Sequence, residues 1–216
     1  MSRRTGAGLS RERVLEAGLN LVDREGVGAL TMRRLGRELG VEAMSLYGYV
    51  DCKQDLLDGV VERVYREIPS MAEADGPWQD RLRDIAQLFR DVLMRHPNTV
   101  NLIAARPILS NGNVGLIESA LAGLRLRGLD LVRASQVVTD VVAFTIGHVT
   151  SEVGELDGHS EDEAAAFERS LDAGRFPNVA ERCALGPLDR DASFDLGLDF
   201  IVAGVERLMD LALAAP

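Results

Sequence analysis

A chain of 216 residues has room for one large domain or two small ones, and a hydrophobic fraction of 46% is enough to build real cores. Aromatic residues make up only 5% and β-branched runs are short, which argues against an all-β sandwich. The net charge of −10 would argue against nucleic acid if it were evenly spread, but residues 1–50 carry eight Arg against six acids while residues 69–216 carry 13 Arg against 23 acids.

Residues 1–9 read as a flexible tail, basic at Arg3 and Arg4 but without the apolar stretch of a secretory signal. Ser10 is placed to cap a first helix in which Val14, Ala17, Leu21 and Val22 recur at helical spacing, and Gly26 and Gly28 stop it. Thr31 caps a second helix with Leu35 and Leu39 inward, broken at Gly40. A third, short helix is predicted over about 42–49 with Leu46 and Val50 inward, and a fourth over about 53–68. The stretch 69–77 (PSMAEADGP) has linker composition and marks a domain boundary. Helical patterns resume over 78–95, about 99–105, 114–127, 131–153, 160–173 and 194–214. Breaks fall at His96-Pro97, Arg106-Pro107, Gly112, Gly128 and the segment GELDGHS. No segment alternates convincingly, and no apolar run approaches the ~18 residues that span a bilayer. The chain therefore reads as all-α, with a tail over 1–9, a helix-turn-helix domain over 10–68 that includes a connecting helix, and a larger helical domain over 78–216. Two distant cysteines, Cys52 and Cys183, with no CxxC spacing, read as reduced thiols of a cytoplasmic protein.

The chemistry concentrates in residues 31–53. A helix that enters the major groove needs small or polar side chains for base edges and flanking donors for phosphates. Ala43, Met44 and Ser45 open the third helix with a methyl, a thioether and a hydroxyl. Tyr47 and Tyr49 carry hydroxyls long enough to reach a backbone, and Lys53, the only lysine of the chain, opens the next helix. Thr31 and Arg33 open the second helix, where free N–H groups also favour phosphate. This is the layout of a DNA-reading unit.

The segment LTMRRLGRELGVEAMSLYGYVDCKQDLLDGVV resembles the DNA-binding domain of the tetracycline-repressor (TetR) family, over roughly residues 10–68. The features that carry the resemblance are Thr31, the Gly-Val turn, the Leu-Tyr pair with an aromatic residue two positions on, and Lys53 followed by Leu-Leu. It implies that Arg33, Ala43, Met44, Ser45, Tyr47 and Tyr49 face double-stranded operator DNA and that Lys53 meets a phosphate. Gly48 departs from the family, which usually has a bulky or polar residue there; glycine weakens the helix end. A weaker resemblance to the tetracycline-repressor branch continues through RHP, AARP, ESALAGLRLRGLDLVRA, FTIGHV and FDLGLDFIVAGVERL. It implies an effector-binding domain and a homodimer formed through the helices at about 131–153 and 194–214. The latter has Phe194, Leu198, Ile201, Val202, Val205, Leu208 and Met209 along one face, a stripe that could fill the subunit's own core but is read as that seam, because a helix-turn-helix that reads a half-site generally works as a two-fold dimer.

The same resemblance implies a pocket for a small-molecule effector. The family's metal-coordinating His falls on Leu102 and its acidic pocket residue on Ser151, beside Glu152. Leu cannot ligate Mg²⁺, so no metal is expected. Candidates for contact with a different ligand are Asp84, Leu88, His96, Asn101, Leu102, Arg106, His148 and Glu152. His159, among acids in the GELDGHS segment, is a weak metal candidate. No catalytic residues or cofactor are expected: no GxSxG, HExxH, P-loop or paired-His motif is present. The leading expectation is a DNA-binding transcriptional regulator, a repressor released from a palindromic operator by a small-molecule effector, with no membrane partner. The alternatives are an all-α enzyme and a ligand-independent helical interaction protein.

Overall fold

A computed structural model of the chain describes residues 8–68, 76–106, 114–158, 166 and 169–213. Those residues form ten α-helices and no strand: α1 (Arg11–Glu25), α2 (Met32–Leu39), α3 (Ala43–Leu46), α4 (Lys53–Tyr65), α5 (Trp78–Arg95), α6 (Val100–Ala104), α7 (Val114–Arg125), α8 (Leu131–Gly158), α9 (Pro177–Ala184) and α10 (Arg190–Leu213). Short 3-10 turns precede α2 and α6.

The head is built by caps and glycines. Ser10 Oγ accepts the Arg13 N–H at 3.2 Å and starts α1; Thr31 Oγ1 accepts the Arg34 N–H at 3.1 Å and starts α2. Gly40 ends α2 in the left-handed conformation at φ 69°, which an L side chain adopts only under strain. Gly36 has a different task. A Cβ there would sit 2.9 Å from the Val41 carbonyl and 3.2 Å from the Ala43 amide, so only glycine lets α3 cross α2 this closely.

Several elements depart from the sequence expectation. The third helix is one turn long and gives way at Tyr47 to a turn through Tyr49, because Gly48 contributes no helix-holding side chain. The fourth ends at Tyr65 and continues as turns to Ile68. Helix α8 runs through the start of GELDGHS, read above as a break, to Gly158. Helix α10 starts four residues early, since Asp189 Oδ1 accepts the Ala192 N–H at 3.0 Å and caps a turn that lies before the apolar stripe. Helix α9, which the periodicity did not reveal, is two turns opened by Pro177 and buries none of its side chains. The linker residues 69–75, the breaks at Pro107 and Gly112, His159 and most of the helix expected over 160–173 lie outside the described residues.

Two apolar clusters form the interior. The first fills the head with Val14, Leu35, Leu46, Leu56 and Val60, then continues without a gap into Phe89, Val92 and Leu93 of α5, Leu102 and Ile103 of α6, and Val149 of α8. Tyr65 and Phe89 stack across the junction with centroids 5.9 Å apart. The second joins the N-terminal half of α5 (Trp78, Ala86) to Val137 and Val141 of α8 and to Phe194, Leu198, Val202 and Val205 of α10. The core thus divides inside α5, while the chain has its linker-like stretch at 69–77. The α10 stripe is also settled: Phe194, Leu198, Val202, Val205 and Met209 are buried within this chain's own core. They cannot form a subunit seam. The side of α10 left outside carries Leu196 and Phe200, more than half exposed.

Candidate functional site

The head gathers all eight residues singled out for DNA around α2, α3 and the start of α4. Thr31, Arg33, Ser45, Tyr47 and Lys53 are exposed, and Ala43 is half-buried. Met44 is 74% exposed, a costly position for a thioether in a free surface. Tyr49 differs from Tyr47: it packs half-buried against the head core. The cations divide into two sets. Arg34 is committed to Glu25 and Glu38, and Arg24 to Glu38. Arg33 and Lys53 make no ion pair among the described residues. Neither does Arg37, one turn after Arg33 on the same side of α2. Arg37 was not singled out from the sequence, although its i,i+4 relation to Arg33, with no acid four residues away, is a legible signal. What the head presents is a short helix of small and polar side chains flanked by uncommitted cations, the composition that reads base edges and neutralises phosphates.

The eight candidates for effector contact do not converge. Asp84 and Asn101 are exposed, while Leu88 and Leu102 pack in the core shared by head and body. His96 lies where α5 meets the head. Its Nδ1–H donates to Asp23 Oδ2 at 2.9 Å, and Nε2 lies 3.2 Å from Glu67 Oε2. Burial alone would raise the Glu67 carboxyl, but His96 and Arg95 outweigh it and hold that group below its usual range. Arg106 reaches from the end of α6 to α4, donating to Asp58 Oδ1 at 2.7 Å and back to the Leu102 carbonyl at 3.2 Å.

His148 and Glu152 do meet, in a buried ionic cluster. Arg90 donates to both Glu152 oxygens at 2.9 and 3.0 Å and pairs with Asp191 at 2.7 Å, and its guanidinium lies over the Phe194 ring at 5.1 Å. His148 Nε2 lies 3.2 Å from both Glu152 Oε1 and the Arg190 carbonyl; two acceptors require that nitrogen to carry the hydrogen. The hydrogen bond from Arg90 to Glu152, opposed by burial and helped by Asp191, raises the guanidinium above its ordinary value. Arg90 went unnoticed in the sequence because its partner lies 62 positions away.

A cleft that none of the eight lines opens between α5, α7 and α8. Its interior measures about 100 Å³ and opens to solvent, and Trp78, Ile85, Ile117, Leu124, Val138 and Val142 are among its walls. Its polar residues are Arg81 and Ser119, and the Ser119 hydroxyl already donates to the Gly115 carbonyl at 2.9 Å. Walls of this character suit a small apolar molecule, or the apolar part of a larger one.

Residues 69–209 match the family model described as Tetracyclin repressor-like, C-terminal domain. The chain belongs to the TetR family. Among its relatives, the HTH-type transcriptional repressor DrrR1 of Streptomyces coeruleorubidus is 30% identical, over 93% of this chain and 78% of its own length. The tetracycline repressor of class D from Escherichia coli is 32% identical, over 93% of this chain and 90% of its own. Among solved structures, ActR of Streptomyces coelicolor in complex with actinorhodin superposes with a TM-score of 0.83 at 27% identity, over 94% of this chain and 99% of that one. The all-α fold with an N-terminal helix-turn-helix is the architecture of these regulators, and the protein is a DNA-binding transcriptional regulator of the TetR type. Leu102, the position matched with the family's metal-coordinating His, is buried in the core, and Glu152 pairs with both Arg90 and His148. No helix among the described residues is long and apolar enough to cross a membrane.

Proposed function

We propose that this TetR-family regulator works as a two-fold dimer that holds a palindromic operator through Ala43, Met44 and Ser45, with Thr31, Arg33, Tyr47, Tyr49 and Lys53 on flanking phosphates, and lets go when an apolar molecule enters the cleft between α5, α7 and α8. The observation that carries the reading is the exposure of Met44 and Ser45 on α3 between uncommitted cations on α2 and α4. The subunits would meet along the outer sides of α8 and α10, where small residues such as Ala143 and Gly147 are exposed on one helix and Leu196 and Phe200 on the other. A head that reads a half-site gains affinity and symmetry from such pairing.

The cleft, rather than the dispersed polar candidates, is the reading favoured for the effector, because its walls are almost wholly hydrocarbon and it offers no metal ligands. The similar TetR-family protein ActR was solved in complex with actinorhodin, an example of a small-molecule ligand held by such a body. Ligand entry would act by favouring a body shape in which the two heads no longer match successive major grooves.

Two measurements test this. Selection of duplexes from a random pool, followed by fluorescence anisotropy at two salt concentrations, should give selective binding that weakens steeply with salt. Indifference between selected and scrambled duplexes would remove the DNA-reading role. Trp78 is the only tryptophan and lines the cleft, so its fluorescence reports occupancy directly. A panel of planar aromatic compounds should include some that change Trp78 emission and release the duplex together. Compounds that release the duplex without touching Trp78 emission would place the effector elsewhere.

A further inference from the structure

We infer that Arg11 and Asp55 are positioning residues for DNA reading: a brace that holds the turn after α3 so that the base-facing Met44 and Ser45 of that helix are presented in register. This rests on the DNA-reading role proposed above. The Arg11 guanidinium donates through Nη1 to the Tyr49 carbonyl at 2.9 Å and to Asp55 Oδ2 at 3.0 Å, and through Nη2 to Asp55 Oδ1 at 2.7 Å. Asp55 Oδ2 also accepts the Asp51 N–H at 2.9 Å. One side-chain pair therefore ties together the first residue of α1, the two ends of the segment 49–51 and the first turn of α4.

The segment needs such a tie. Helix α3 is a single turn, too short to be stable by itself, and Gly48 loosens the turn after it. Beyond α3 the backbone is held locally by the Tyr47 N–H to the Met44 carbonyl at 3.3 Å and the Tyr49 and Val50 N–H groups to the Leu46 carbonyl. The brace adds an anchor from 38 positions away. Its chemistry is specific. A planar guanidinium spans both carboxylate oxygens and a carbonyl at once, whereas an ammonium cannot reproduce that fork.

Asp55 is also oddly placed for an ordinary surface acid. It lies two residues from Lys53, in a head that must approach a polyanion, where a carboxylate repels phosphate and neutralises Arg11. Charge alone says that removing it should strengthen DNA binding. Positioning says the reverse, so the sign of the effect separates the two.

The test uses the full-length protein and a duplex selected by the wild-type chain, with a scrambled duplex beside it. Asp55→Asn keeps the shape and removes the charge. The expected result is a loss of roughly tenfold to hundredfold on the selected duplex, the scale set by charge-assisted hydrogen bonds that no longer hold, with scrambled-duplex binding unchanged or stronger. Arg11→Lys, which keeps the charge and loses the fork, should give the same pattern, and the double variant should be no worse than either single one, because the pair acts as a unit. Asp55→Glu should recover part of the selectivity. Far-UV circular dichroism confirms that each variant is folded at the assay temperature; if Asp55→Asn is not, Arg11→Lys carries the comparison. Unchanged or tighter binding of the selected duplex, or equal losses on both duplexes, would overturn the brace. A wild-type chain that selects no duplex would instead defeat the DNA-reading role on which the brace depends.

Discussion

The brace also sets a pH dependence. The hydrogen bond from Arg11 is the main influence on the Asp55 carboxyl; burial opposes it, the Asp51 N–H and the Arg11 charge assist, and the net effect holds the group below the usual carboxylate range. A carboxyl lowered on folding contributes stability that is fully present above its unfolded value and is lost as the pH falls through the folded one. Arg11 itself is raised by Asp55, with Glu62 and Asp51 adding to the field, so it stays charged throughout. Selective DNA binding should therefore be insensitive to the brace between about pH 6 and 8 and should fail through it only in acid, below the ordinary range of an Asp carboxyl. A titration of operator affinity with pH checks this. The base-reading and phosphate-facing residues should behave differently from one another. Lys53→Ala or Tyr47→Ala should weaken binding to selected and scrambled duplexes alike, and Lys53→Ala should lower the salt slope by roughly one. Ser45→Ala should change which bases are preferred, measured by repeating the selection.

At the scale of elements, two places have little tolerance. Gly36→Ala would push a methyl against the Val41 carbonyl and the Ala43 amide, backbone atoms that cannot rotate away. It should cost about 1–3 kcal/mol, as overpacking does, and displace α3; urea unfolding and operator binding would register both effects. The Arg90–Glu152 pair fastens α5 to α8 inside the body, with both side chains buried. Glu152→Ala leaves a buried guanidinium with Asp191 alone and should destabilise by roughly 3–5 kcal/mol, while Arg90→Met with Glu152→Leu should restore most of the loss. In the cleft, Gly123 has open space where a Cβ would stand. Gly123→Leu should fill that space, strengthen α7 as a helix and abolish the Trp78 response to aromatic ligands.

These elements also explain what the sequence could and could not reveal. The caps at Ser10 and Thr31, the left-handed stop at Gly40 and the periodic faces of α1, α5 and α8 are local, so they are written within a few residues. The residues proposed to face DNA could be singled out together for the same reason, as they occupy one continuous stretch. The Arg11–Asp55 brace and the Arg90–Glu152 pair join residues 44 and 62 positions apart, and no spacing rule connects them. The search for effector contacts went by polar type. His96, Arg106, His148 and Glu152 have partners on other elements of the chain, while the cleft proposed here is walled by residues that read as ordinary core. The same ambiguity affected α10, whose apolar stripe belongs to the subunit interior.

For the molecule as a whole, pairing should depend on the side of α10 that the core leaves out. Phe200→Asp, with the core stripe untouched, should shift sedimentation from dimer toward monomer and weaken binding to a two-half-site duplex far more than to a single half-site. A variant that remains dimeric would move the seam elsewhere. The apolar cluster that runs from α1 to Val149 further predicts that the head unfolds in one transition with the part of the body packed on it, seen as coincident far-UV and tyrosine signals, with Tyr65 at the junction.

That continuous interior also bears on how such regulators could be recombined. A protein engineer who joined this reading head to another sensor body at residues 69–77 would cut between Ile68 and Phe89, through the middle of one packed cluster, and leave both halves with unmatched apolar faces. The natural joint for a hybrid is inside α5, after Ala86, where one cluster stops and the next begins. Transplants made there would carry Phe89, Val92 and Leu93 along with the head they complete; α6 and Val149 would then have to be matched to it from the new body.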